Sequence, residues 1–138
     1  DNLNQDTLGL ALSDYAQTEL KVFQNKYDEA MVMLDSILSE YKENSLLDDV
    51  LYLQANILNK QKKTEEAIQK YNKIIENHKE EIRADNALFE LAKIYDYQLS
   101  QKEKAMSLYE KLFLDYSGSV LAIEARQRFR KLRGDAVQ

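Results

Sequence analysis

The 138-residue sequence has no cysteine, no proline and no tryptophan, only three glycines and one histidine. Without cysteine there is no disulfide and no thiolate metal site, and the redox compartment leaves no mark. Proline and glycine most disfavour a helix interior, so their scarcity points to helix almost throughout. The single histidine, His78, has no second histidine or cysteine to join it as a metal ligand, and reads as a surface residue beside Glu76, Lys79, Glu80 and Glu81. No apolar run approaches the roughly 20 residues that span a bilayer, so direct membrane insertion is not expected. Phosphate-cradling glycine loops and nucleophile motifs are absent, and neither a cofactor nor a metal is implied. The chain begins at Asp1 rather than Met and reads as an excised or processed piece of a longer chain, so the lack of a leader carries no weight.

The residues that are present suit a globular helical protein: 44% are hydrophobic and 31% charged. The net charge of −5 is uneven. Residues 1–45 carry three Lys/Arg against nine Asp/Glu, while residues 81–138 carry ten against nine. The acidic first third argues against general nucleic-acid binding.

One pattern occurs three times: Asn25–Met31, Lys63–Ile68 and Gln101–Met106, centred on Ala30, Ala67 and Ala105. Four residues after each alanine stands a large residue (Leu34, Tyr71, Tyr109), followed by an apolar pair (Ile37-Leu38, Ile74-Ile75, Leu112-Phe113). A period of 37 to 38 residues made of two helices is the mark of a helical solenoid, an architecture that binds more often than it catalyses. Seven helices can be placed, near 6–23, 26–41, 46–60, 65–79, 82–97, 101–116 and 120–132. Ser45 before Asp48 and Ser100 before Glu103 read as capping serines, Thr64 opens a similar start, and Gly118 marks a tight turn. On the third helix Leu47, Val50, Leu51, Ala55 and Leu58 share one face, widened by Leu46, Leu53 and Ile57. Ala55 and Ala92 in first helices, with Ala30, Ala67 and Ala105 in second helices, allow close backbone approach at each crossing.

These positions resemble the tetratricopeptide repeat, clearest in Leu51-x3-Ala55-x2-Leu58 with Ala67-x3-Tyr71, and in Leu88-x3-Ala92-x2-Tyr95 with Ala105-x3-Tyr109. The resemblance implies an all-α, α–α superhelix: a single domain over 1–138 with repeats near 8–42, 46–79 and 82–116 and a capping helix at 119–133. The chain departs from the family in its spacing, which exceeds the usual 34 or so residues. Lys62 stands where a turn glycine is usual, no proline follows any second helix, and the first pair carries Asp14, Gln17 and Thr18 at typically apolar places. The long second helices and the ending Leu114–Asp135 are similar to repeat domains of Gram-negative cell-envelope proteins. That likeness implies the periplasm or cell envelope of a bacterium.

In stacked pairs the first helices line the concave side. Tyr15, Tyr52 and Phe89 lie 37 residues apart, with Glu19, Asn56 and Lys93 one turn on, then Phe23, Asn59, Lys60, Asp96 and Tyr97. The resemblance implies that Tyr15, Glu19, Phe23, Tyr52, Asn56, Asn59, Phe89, Lys93 and Tyr97 line a groove for a peptide or helical segment of a protein partner. Aromatic rings bury area at low entropic cost, and Asn both donates to and accepts from peptide backbone. The alternative is that the rings pack between neighbouring first helices. The ladder lacks a Lys/Arg cluster, which disfavours a clamp for a C-terminal carboxylate. Asp48 and Asp49 read as first-turn acids, and Arg126, Arg128, Arg130, Lys131 and Arg133 as the solvated face of a terminal helix. The resulting expectation is a non-enzymatic protein-binding module. The rival is an assembly segment that stacks on upstream repeats or self-associates through Leu8, Leu10, Leu12 and Tyr15.

Overall fold

The computed structural model describes residues 2–41, 46–77 and 82–135. Seven α-helices follow one another in these residues: α1 (Asn2–Phe23), α2 (Tyr27–Glu40), α3 (Leu47–Lys60), α4 (Thr64–Asn77), α5 (Ile82–Lys93), α6 (Lys102–Asp115) and α7 (Leu121–Arg133). A π-helical turn, Ile94–Gln98, continues α5 without a break. Among the described residues there is no strand, and no helix is long and apolar enough to cross a membrane. The chain is thus an all-α helical repeat. The expected helices are present, although residues 78 and 79 at the expected end of the fourth, with His78, lie outside the described residues.

The chain divides into two compact units, Asp1–Lys70 and Tyr71–Gln138, the division falling inside α4. In the first unit α1 packs on α2, and α2 on α3. Its core joins Ala30, Leu34 and Ile37 of α2 to Val50 and Ile57 of α3, with Tyr15 and Val22 of α1 against them. Full burial of each Leu, Ile or Val contributes about 1.5–3 kcal/mol. Of the broad apolar face expected on α3, Leu46, Val50, Leu51, Ala55, Ile57 and Leu58 are buried, while Leu47 and Leu53 are half-buried. Tyr41 Oη donates to Asp14 at 3.1 Å and Gln54 Nε2 to Asp35 at 2.7 Å, tying neighbouring helices at polar points.

In the second unit α6 packs against both α5 and α7, and α5 touches α7. Leu88, Phe89 and Ala92 of α5 meet Ala105, Tyr109 and Leu112 of α6 and Ala122 and Ala125 of α7. Phe113 and Phe129 close the α6–α7 side edge to face, centroids 5.4 Å apart. The repeat alanines Ala30, Ala55, Ala67, Ala92 and Ala105 are completely buried, as close helix crossings require.

The turns between first and second helices correct the capping expectation. Asn25, Lys62 and Ser100 hold left-handed backbone at φ 61°, 66° and 54°. Ser100 is therefore not a capping serine: Gln101 stands at the cap of α6 and no side chain bonds there. The turn needs one left-handed residue, and that geometry takes Ser100 out of reach of the first-turn N–H groups. Leu46 holds the equivalent place before α3, while Ser45 lies outside the described residues. Thr64 is the first residue of α4. In the first two turns the helix closes with paired backbone bonds, Asn25 N–H to Val22 and Lys26 N–H to Lys21, then Lys62 N–H to Asn59 and Lys63 N–H to Leu58. Gly134, at φ 94°, repeats this closure after α7, where its missing Cβ removes the strain.

Candidate functional site

An open pocket of about 340 Å³ lies in the second unit. Phe89 and Lys93 come from α5, Tyr97 from the π-helical turn and Tyr109 from α6. Glu124, Gln127, Arg128 and Lys131 come from α7, where spacings of three, four and seven residues put them on one helical face. Phe89 is 7% exposed and meets Tyr109 edge to face at 6.2 Å, so these two rings form the floor. Tyr97 is 63% exposed and stands at the rim.

Asp96 ties the three elements together. Its carboxylate accepts from Arg128 Nε at 2.6 Å, from Arg128 Nη2 at 2.9 Å and from Tyr109 Oη at 2.9 Å. The Asp96 side chain is 4% exposed and that of Arg128 24%, so the fork-shaped pair is largely withdrawn from water. Burial, the largest influence on Asp96, pushes its carboxyl up, but the hydrogen bonds from Arg128 and Tyr109 together outweigh it and hold the group below the ordinary 3.8. Burial, then the bond into Asp96, raises the Tyr109 phenol. The bonds to Asp96 raise Arg128 further above its already high value. All three groups therefore keep their charge state across neutral pH. The network is a fixed electrostatic brace, not a proton-transfer device.

Cations lie against aromatic rings on both walls. Lys93 Nζ sits 4.8 Å from the centre of the Phe89 ring, and the Arg128 guanidinium 4.8 Å from that of Tyr97. Lys93 also pairs with Glu90 at 3.1 Å, a half-exposed contact of little energetic weight. Among the described residues no group of three or more His, Cys, Asp or Glu is placed to hold a metal ion.

Residues 49–80 and 86–119 each match the family model of the tetratricopeptide repeat. The chain belongs to that family. Tetratricopeptide repeats generally mediate protein–protein interaction. No curated protein sequence matches the chain.

Of the nine residues expected to line a groove, Phe89, Lys93 and Tyr97 come together around this pocket, within the second matched repeat. Tyr15, Glu19, Phe23, Tyr52, Asn56 and Asn59 belong to the first unit and do not line it. Tyr15 packs half-buried against the first core, Glu19 is exposed, and Phe23 is 85% exposed at the end of α1. Tyr52, Asn56 and Asn59 are half-buried on α3, and Asn59 Oδ1 is buried without a hydrogen-bond partner.

Two expectations are corrected. By its spacing Asp96 falls among the groove-facing residues, yet its carboxylate turns inward to Arg128 and Tyr109. Arg128 reads from the sequence as part of a solvated face, yet it reaches across to Asp96, while Arg126, Arg130, Lys131 and Arg133 are exposed. Sequence reasoning also missed Tyr109, Glu124, Gln127 and Lys131 as lining residues. The i, i+4, i+7 spacing of Glu124, Arg128 and Lys131 was the available signal, but it does not say which face of a terminal helix looks back at α5.

Proposed function

We propose that the chain is a non-enzymatic protein-binding module that holds a peptide or helical segment of a partner on its first-helix face, the concave face of a stacked array. The pocket between α5 and α7 carries this reading. Its rings offer apolar area, and Lys93, Gln127 and Lys131 offer donors at the rim. Fixed charge states at Asp96, Arg128 and Tyr109 suit recognition better than turnover. The likeness of the C-terminal ending to envelope-protein repeats supports a bacterial cell-envelope partner as part of the same proposal.

The test is to select peptides on the intact chain from a random display library. Their affinities are then measured for wild type and for the double variant Tyr97→Ala, Lys131→Glu. Both positions are exposed, so the fold should survive. The expected result is at least about tenfold weaker binding to the variant. Equal affinity for both would end the pocket reading.

A second reading is favoured by α1. Leu8, Leu12, Leu20 and Phe23 fall on one side of that helix and are all exposed. A stripe of this kind suits stacking on an upstream repeat or on a second copy. Mass by light scattering across a hundredfold concentration range should rise for wild type and stay flat for Leu12→Glu if self-association is the role.

A further inference from the structure

The third helix pair is one residue longer than the first two, and the extra residue can be located. Tyr15, Tyr52 and Phe89 are evenly spaced by 37. The left-handed turn residues are not: Asn25 to Lys62 is 37, but Lys62 to Ser100 is 38. The added residue therefore falls between Phe89 and Ser100, and the backbone there leaves the α-helical ladder. Leu99 N–H bonds five residues back to Ile94, and Gln101 N–H six back to Tyr95. The matching bonds in the earlier pairs, Lys26 to Lys21 and Lys63 to Leu58, reach five back.

An added residue is most cheaply absorbed in a surface connection, because loop-closure entropy grows slowly with length. Inside a helix it breaks the α-helical ladder, and the side chains within that one turn are re-aimed. π-helical turns are rare for this reason and are frequent at functional sites. Here the turn puts Asp96 inward onto Arg128 and Tyr109, and sets Tyr97 outward at the rim beside Arg128. Asn59, 37 residues before Asp96 on unbroken α3, has a buried Oδ1 with no partner.

We propose that the extra residue in Ile94–Gln98 is a binding device: it builds the pocket by making Asp96 the positioning residue for Arg128 and Tyr97 a contact residue for a partner's segment. This rests on the reading that the pocket receives such a segment. Returning the third pair to the spacing of the first two removes the device and leaves the helices.

The experiment deletes Gln98, an exposed residue of the turn, and compares it with Gln98→Ala, which keeps the count. Peptides selected on wild type are titrated against each by fluorescence anisotropy, with helix content followed by circular dichroism. Gln98→Ala should bind as wild type does. The deletion should keep its helix content and bind at least about tenfold more weakly. A folded deletion variant binding within about twofold of wild type would overturn the proposal. Should the deletion not fold, Asp96→Asn keeps the length and removes the charge that orients Arg128. It too should lose about tenfold, with the loss appearing for peptides that require Tyr97, and unchanged affinity would again overturn the proposal. Peptides indifferent to Tyr97→Ala, Lys131→Glu would instead defeat the pocket reading itself. Peptides that need those residues but tolerate the deletion defeat only the role of the added residue.

Discussion

The first helices α3 and α5 begin alike and end differently. Each carries an aromatic residue, Tyr52 or Phe89, then a completely buried alanine three residues on, Ala55 or Ala92. Seven residues after the aromatic they part. On α3 stands Asn59, with a buried and unpartnered oxygen, and in the π-helical turn that continues α5 stands Asp96, with three hydrogen bonds. The two terminal helices differ as well. One side of α1 exposes leucines and Phe23, whereas on α7 arginine and lysine dominate the exposed surface and Ile123 is the large hydrophobic residue exposed among them. A shared register therefore repeats the packing without repeating the polar contacts, and the pair that carries one added residue is the one whose helix end differs.

The largest effect is expected where the two units are most alike. Ile37 and Leu112 hold matching places on the second helices α2 and α6, and both are buried. Ile37→Ala and Leu112→Ala should each cost about 2–5 kcal/mol, read from urea midpoints. Costs differing by more than the width of that range would break the equivalence of the two cores.

The next contrast is Asp96 against Asn59. Asp96→Ala leaves Arg128 half-buried without its counter-charge and should cost about 3 kcal/mol. Asn59→Ala removes an oxygen that already lacks a partner and should cost under about 1 kcal/mol. Acid sharpens the same comparison. The Asp96 carboxyl is held below 3.8, so its contribution is fully present above that value and is lost as pH falls through the lower folded value. Wild-type melting temperature should therefore drop below about pH 4 more steeply than that of Asp96→Asn, and parallel curves would contradict the brace.

Smaller effects should follow the turns. Lys62 holds φ 66° at the strain of a branched-off side chain, so Lys62→Gly should gain about 1 kcal/mol. Asn25→Gly should gain less, since Asn tolerates that geometry through local hydrogen bonding. Thermal melts of the two variants rank them directly. Smallest of all, Tyr97→Ala should leave stability within about 0.5 kcal/mol, because the ring is exposed. A larger loss would show that Tyr97 serves packing rather than the pocket rim.

Helix number, helix order and the alanine crossings were legible in the sequence because they rest on local periodicity. A buried face must recur every three to four residues wherever it lies, so α3 and the five alanines could be assigned without a structure. The spacing change from 37 to 38 was legible too, but its meaning was not. Spacing alone cannot say whether an added residue enters a connection or a helix, and the backbone bonds to Ile94 and Tyr95 place it in the helix. The capping serine at Ser100 failed for a related reason. Local side-chain propensity favoured a cap, while the turn that joins the two helices demanded a left-handed residue.

The pocket depended on the fold entirely. Asp96 and Arg128 are 32 residues apart, and Asp96 and Tyr109 are 13 apart, so no periodicity connects them. They meet because α6 packs on α5 and α7 returns beside both. Charge pairing is nearly indifferent to sequence separation once burial lowers the local dielectric. Composition and register thus determine that this chain is an all-α helical repeat with alanines at its crossings. Which charges face one another, and which rings stay open at the pocket, is set by the long-range packing of three helices against each other.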